Sequence, residues 1–196
     1  MDGSLIVILG LPVLYLTGSL RRAAEPFCVS GTTFVLYFIC TAALMLLPTV
    51  RVTNGFSLCF AGLFYCFAPV AALIRQRDFP TGLPVAAALC VLFSCLEELI
   101  WGDYTITFLP YAEGAAIAVA ALICIGRRAA LFAPILAGLY EAAGHIVRIV
   151  SGVDSSAWLS GICAVSVAVG ICFAVSALLA LRHPRRVGRH ERHAET

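Results

Sequence analysis

Residues 129–150 read AALFAPILAGLYEAAGHIVRIV, an apolar segment interrupted by three ionisable side chains. About 20 predominantly apolar residues are enough for a helix to cross a hydrocarbon core of roughly 30 Å. Glu141 and His145 are four residues apart and Arg148 follows three residues later, so all three side chains fall on one helical face. The segment therefore predicts a transmembrane helix with a polar face.

The remainder of the chain repeats this apolar pattern. Of its 196 residues, 61% are hydrophobic and only 12% are charged. Soluble domains are about one quarter charged, so the composition excludes a soluble globular enzyme. The predicted spans are residues 3–20, 28–50, 55–74, 82–101, 105–126, 129–150 and 157–181. We therefore expect an all-α, polytopic transmembrane bundle of seven helices over residues 1–181, followed by a basic tail over residues 182–196.

The arginines predict the orientation of these spans. All thirteen basic residues are arginine, and eleven of them lie on alternate connections, after spans 1, 3, 5 and 7. The positive-inside rule assigns such connections to the cytoplasm. We expect the N-terminus outside, the C-terminus inside, and a plasma-membrane protein whose tail associates with anionic lipid rather than nucleic acid.

The first span has an alternative interpretation, a cleaved signal peptide, which would leave six spans. A signal peptide begins with basic residues that precede its apolar run. This chain begins Met1-Asp2-Gly3-Ser4 and has Arg21 and Arg22 after the apolar run. We therefore expect a retained helix.

Small residues at four-residue spacing predict how the helices pack. Helices in a bilayer associate through close contact of small side chains and through interhelical hydrogen bonds. One stripe in span 7 comprises Ser160, Ala164, Ala168, Cys172, Ser176 and Ala180. A second stripe in span 4 comprises Ala86, Cys90 and Ser94. The second stripe continues into Glu98, so we expect Glu98 to point into the bundle and Glu97 to snorkel, with its carboxylate reaching the membrane surface.

Ionisable residues inside the spans are the candidate binding residues. Each costs about 2.5 to 3.5 kcal/mol at a helix centre and is usually retained for function or pairing. The predicted site comprises Glu98, Glu113, Glu141, His145 and Arg148, all in the outer half of the bilayer. Glu141, on span 6, is the deepest of the acids in the site, which makes it the first candidate for a proton- or cation-binding carboxyl. An excess of carboxyls in a low-dielectric site should make the cluster exchange protons near neutral pH.

The sequence leaves three classes of function open. The preferred one is a small permease, or the solute-binding subunit of a transporter, for protons or a small polar or cationic solute. The second is an intramembrane enzyme acting on a lipid-like substrate: the Glu97-Glu98 pair resembles the paired-glutamate membrane proteases, although their further intramembrane histidines are missing here. The third is a non-catalytic sensory or assembly subunit that works with other membrane subunits. No catalytic residue, cofactor or metal site is predicted, because the cysteine and histidine spacings match no standard ligand pattern.

Overall fold

The computed structural model describes residues 3–27, 30–48, 50–53, 56–76, 79–101, 109–152 and 162–182. Within these residues the chain is mainly helical, which confirms the predicted class. Seven α-helices are α1 Gly3–Leu16, α2 Gly31–Leu44, α3 Phe60–Gln76, α4 Leu83–Trp101, α5 Leu109–Ile125, α6 Ala129–Val150 and α7 Ile162–Arg182. Short 3-10 turns occupy Glu25–Phe27 and Gly126–Arg128. Of the predicted tail, residues 183–196 lie outside the described part of the chain.

The first two helices are shorter than the predicted spans 3–20 and 28–50, each having 14 residues. At 1.5 Å per residue, such a helix is about 21 Å long, less than the thickness of a hydrocarbon core. α1 ends at Leu16, and Gly18 then adopts φ +87°, a left-handed conformation that commonly follows a helix end. α2 ends at Leu44, before the helix-breaking Pro48.

Two short paired strands lie between α2 and α3, within segments that the sequence assigned to spans 2 and 3. Strands β1 Val50–Thr53 and β2 Phe56–Leu58 pair antiparallel, with Val50 opposite Leu58. The sequence did not separate these strands from the neighbouring spans because apolar content alone does not distinguish a short strand from a helix. The sequence did hold a signal, because residues 54 and 55 are Asn-Gly, the dipeptide most typical of a tight hairpin.

Two helical stretches of the described residues are long and apolar enough to cross a membrane. One is 83–100, within α4, and the other is 111–150, which covers α5 and α6 and the turn between them. The apolar parts of the other four helices are shorter, at 10–17 residues each. These lengths indicate membrane association. They do not show how many helices span the membrane or in which orientation, so both remain predictions.

Helix α6 occupies the centre of the bundle. It contacts α3, α4, α5 and α7, and half of its side chains are buried. Large apolar side chains are instead exposed on the outer faces of the helices, among them Ile6, Ile74, Ile123 and Val150. A soluble monomer rarely exposes so much contiguous apolar surface, whereas lipid is a suitable solvent for it.

The small-residue stripe of α7 packs against α5. Ala164, Ala168 and Cys172 are each at most 1% exposed. The thiol of Cys172 points to the carbonyl oxygen of Ala118 at 3.9 Å. On the same side of α5, a Cβ added to Gly114 would lie only 2.7 Å from the carbonyl oxygen of Ala164. The two backbones therefore approach closely, as the stripe predicts.

A proline in α3 is compensated by a side chain from α2. Pro69 has no N–H, so the carbonyl of Tyr65, four residues earlier, lacks its intrahelical partner. The hydroxyl of Tyr37 donates a hydrogen bond of 2.5 Å to that carbonyl. In a bilayer an uncompensated carbonyl would be costly, so this bond both satisfies α3 and attaches α2 to it.

Candidate functional site

The site is built on the face that α4 presents to α6. Ala86, Cys90 and Ser94 form a buried line, each at most 2% exposed, and Glu98 continues it one turn later. The hydroxyl of Ser94 donates a 2.6 Å hydrogen bond to the carbonyl oxygen of Tyr140 on α6. The prediction that Glu98 points into the bundle is therefore confirmed.

Glu98 and Arg148 form an ion pair between α4 and α6. The Nε of Arg148 donates to Oε2 of Glu98 at 2.7 Å, a geometry typical of a charge-assisted hydrogen bond. The Glu98 side chain is only 14% exposed, whereas that of Arg148 is 40% exposed. The carboxylate therefore lies inside the bundle while part of the guanidinium lies at its surface.

Glu97 also belongs to this site, which the sequence did not predict. The hydroxyl of Tyr140 donates a hydrogen bond to the carboxylate of Glu97, whose side chain is half-buried. The carboxylate of Glu97 is thus bonded to α6, whereas the sequence suggested a side chain that snorkels to the membrane surface. The hydropathy pattern treats Tyr140 as an apolar residue, although its hydroxyl needs a partner when buried.

Glu113 brings a third carboxyl to the same end of the bundle. It lies one turn inside the start of α5 and interacts electrostatically with both Glu98 and Arg148. Its electrostatic field also reaches Glu97. Three carboxyls from two neighbouring helices thus act electrostatically on a single guanidinium.

Glu141 lies deeper along α6 than Arg148 and has a neighbour on α3. Glu141 is partly buried and interacts electrostatically with Cys66 on α3. The thiol of Cys66 points in turn to the carbonyl oxygen of Pro134, at 3.5 Å, so this part of α6 faces α3. His145 is half-buried, one turn beyond Glu141. The structure therefore pairs Glu98 with Arg148, gives Glu113 an electrostatic interaction with both, and gives Glu141 an electrostatic interaction with Cys66 of α3.

The close approach of α4 and α6 depends on Gly144. A Cβ at this position would lie 2.9 Å from Oγ of Ser94 and 3.3 Å from Oε1 of Glu98. Both oxygens belong to side chains that already make the interhelical bonds described above. Glycine at 144 therefore leaves the room that the ion pair and the serine bond occupy.

The chemistry available here is that of carboxylates and one guanidinium. We name Glu97, Glu98, Glu113, Tyr140 and Arg148 the acidic cluster. Over the described residues, no group of three or more histidine, cysteine, aspartate or glutamate side chains is arranged to hold a metal ion. The carboxyls of the cluster can bind protons or a cationic group, and the guanidinium can bind a carboxylate.

Comparison with known proteins identifies no relative: no family model, curated protein sequence or solved structure matches this chain.

Proposed function

We propose that this chain is a multi-pass plasma-membrane protein that binds, and moves across the membrane, a proton or a small polar or cationic solute at the acidic cluster. The observation that carries this proposal is the charge imbalance around Arg148. Glu97, Glu98 and Glu113 act electrostatically on one guanidinium, so full ionisation would leave an excess of two negative charges. In an apolar bundle such an excess is relieved by binding protons or a cation.

The three carboxyls have unequal freedom to bind a ligand. Glu98 is held by Arg148, and Glu97 accepts the hydroxyl proton of Tyr140. Within the described part of the chain, Glu113 interacts electrostatically with Glu98 and Arg148 but forms no hydrogen bond or ion pair. We therefore assign the ligand-binding carboxyl to Glu113, with Glu97 beside it, rather than to Glu141.

A thermal-shift experiment with paired probes tests the site. Purified protein is heated with methylammonium, and with acetate as the matched anion. We expect methylammonium to raise the melting temperature and acetate to leave it unchanged. Glu113→Gln should abolish the rise, whereas Glu141→Gln, on the side of α6 that faces α3, should retain it. An equal response of both variants would contradict the assignment to Glu113.

Uptake separates transport from binding. With equal pH on both sides, so that passive entry of neutral methylamine is not driven by a pH gradient, proteoliposomes containing the wild type should take up labelled methylammonium faster than protein-free liposomes, and those containing Glu113→Gln should not. Stabilisation by methylammonium without uptake would leave a binding protein and refute the transport step.

The seven spans and their orientation belong to the same proposal. The eleven arginines on alternate connections support an outside N-terminus and an inside C-terminus. Cysteines introduced at positions 155 and 188 should react with an impermeant thiol reagent from the outside and from the inside, respectively. Labelling of position 188 from outside would reverse the orientation, and labelling of position 1 from inside would remove the first span.

A second candidate function is a structural subunit for a larger membrane assembly. It is favoured by the bonds of Ser94, Glu97 and Glu98, which all join α4 to α6. In that case the acidic cluster holds helices together and binds no solute. No tested cation would then stabilise the wild type, and Arg148→Ala would lower its stability without any change in uptake.

A further inference from the structure

The outer end of the Arg148 guanidinium is not used within the bundle. Glu98 accepts a hydrogen bond from Nε alone, through its Oε2 atom, at 2.7 Å. Its other oxygen, Oε1, lies on the side of Gly144, where a Cβ would be 3.3 Å away. The Nη1 and Nη2 groups of Arg148 therefore have no hydrogen-bond partner in the part of the chain that the structure describes. Because 40% of the side chain is exposed, these donors are accessible from outside the bundle.

Large apolar side chains are exposed at the same end of the bundle as Arg148. In the last turns of α4 and α6, Leu99, Ile100, Ile149 and Val150 are each at least 60% exposed. Such a surface is unfavourable in water and is suited to contact with acyl chains. A charged side chain among apolar neighbours near a helix end is typical of the boundary between acyl chains and lipid headgroups. We therefore expect the free end of Arg148 to lie at the level of the headgroups.

The charges around Arg148 discriminate between phospholipid headgroups. All phospholipids carry a phosphate, which a guanidinium binds through paired N–H groups. Glu97, Glu98 and Glu113 act electrostatically on the same guanidinium, so a headgroup with a net negative charge is repelled. Glu97 uses Oε2 for the hydroxyl of Tyr140, and its Oε1 has no hydrogen bond among the described residues. That oxygen can accept a hydrogen bond from an ammonium group, so a zwitterionic headgroup with N–H donors complements both charges.

We propose that Arg148 and Glu97 form a binding site for the headgroup of one phosphatidylethanolamine molecule. Nη1 and Nη2 of Arg148 donate to the phosphate, and Oε1 of Glu97 accepts from the ammonium group, while the acyl chains lie on the exposed apolar surface of α4 and α6. Phosphatidylcholine suits the site less, because its quaternary ammonium has no N–H to donate. The site rests on the membrane-spanning arrangement of the proposed function, but it requires neither the transport step nor a ligand on Glu113.

Lipid enrichment measures this selectivity. The purified chain is incubated in mixed micelles with equal amounts of phosphatidylethanolamine, phosphatidylcholine and phosphatidylglycerol of the same acyl chains, and the lipid that co-purifies is quantified by mass spectrometry. We expect phosphatidylethanolamine to be enriched several-fold over the other two. Arg148→Lys keeps the positive charge but loses the paired N–H groups, and Glu97→Gln removes the negative charge that the ammonium meets. Each variant should return the lipid ratio close to that of the input.

Two control variants separate this site from other charges and from the proposed solute site. Arg127 is an exposed arginine just before the start of α6, at the end opposite Arg148, so Arg127→Lys should leave the enrichment unchanged. Glu113→Gln should also retain it, although the same change should abolish stabilisation by methylammonium. A wild type that enriches phosphatidylethanolamine without responding to methylammonium would contradict the proposed function and support the lipid site. The reverse result would contradict the lipid site alone.

Three results would overturn the proposal. Preferred binding of phosphatidylglycerol would show that Arg148 is only an anchor for anionic lipid. Equal enrichment of phosphatidylethanolamine and phosphatidylcholine would show that the ammonium is not recognised through its N–H groups. Stabilisation by soluble glycerophosphoethanolamine as strong as that by the lipid would show that the ligand is a free solute. If Arg148→Lys or Glu97→Gln fails to fold, the lipid ratios of the wild type still decide between these outcomes.

Discussion

Gly144 provides the sharpest quantitative test of how α4 and α6 pack. In Gly144→Ala the new Cβ would lie 2.9 Å from Oγ of Ser94, closer than such contacts normally occur. Ser94 cannot turn away without losing its 2.6 Å bond to Tyr140, and Glu98, the other neighbour, is held by Arg148. The change therefore either overpacks the interface or breaks one of its bonds.

The magnitude follows from two opposing effects. Replacing glycine by alanine inside a helix is favourable by about 0.8 to 1 kcal/mol through backbone entropy. Overpacking a well-packed interface costs about 1 to 3 kcal/mol. We expect Gly144→Ala to lower the free energy of unfolding by about 0 to 2 kcal/mol overall, the difference between the two effects. At Gly10 in α1 a Cβ meets nothing within 4 Å, so Gly10→Ala should be neutral or stabilising.

Reversible unfolding in mixed micelles, titrated with SDS, measures both variants on one scale. Ser94→Ala removes the oxygen that the new Cβ would meet, so adding Gly144→Ala to that background should cost close to nothing. A Gly144→Ala protein as stable as Gly10→Ala would refute the close approach of α4 and α6. If Gly144→Ala lowered the free energy of unfolding equally in the wild-type and Ser94→Ala backgrounds, Ser94 would be excluded as the cause of the destabilisation.

Three further predictions concern other contacts. Tyr37→Phe leaves the carbonyl of Tyr65, which Pro69 frees, without a hydrogen-bond donor and should lower the free energy of unfolding by about 1 to 3 kcal/mol. In a Pro69→Ala background this loss should be smaller, and melting curves of the variants in the two backgrounds measure the difference. Ala168→Leu overpacks the buried face of α7 and should lower the free energy of unfolding by about 1 to 3 kcal/mol, whereas Ala174→Leu, at an exposed position, should be tolerated. Equal stability of the two variants would show that the small-residue stripe faces lipid. Arg148→Gln should lower the free energy of unfolding by about 1 to 2 kcal/mol, a value reduced for solvent screening because the Arg148 side chain is 40% exposed. If the effects of Arg148→Gln and Glu98→Gln add fully in the double variant, the pair contributes no coupling energy.

The sequence predicted those features that depend on residue size and spacing. The line from Ala86 to Ser94 places Glu98 between helices because small residues at four-residue spacing form one continuous face. Prediction from the sequence failed where a polar atom lies at the end of a largely apolar side chain. Tyr140 contributes its ring to the core and its hydroxyl to Glu97, and no spacing rule indicates which acid that hydroxyl reaches.

The different positions of Glu141 and Arg148 show why the rest of the site needed a structure. Seven residues apart, they differ by only about 20° around the helix, so spacing alone assigns both to one surface. Yet α6 is central, and the neighbour that each side chain meets changes along its length. Arg148 lies near the end of α6, where its long side chain reaches Glu98 on α4. Glu141, two turns deeper, interacts electrostatically with Cys66 of α3. A helix that contacts four others thus divides one sequence face between two environments, and only the packing of its neighbours determines which acids act together.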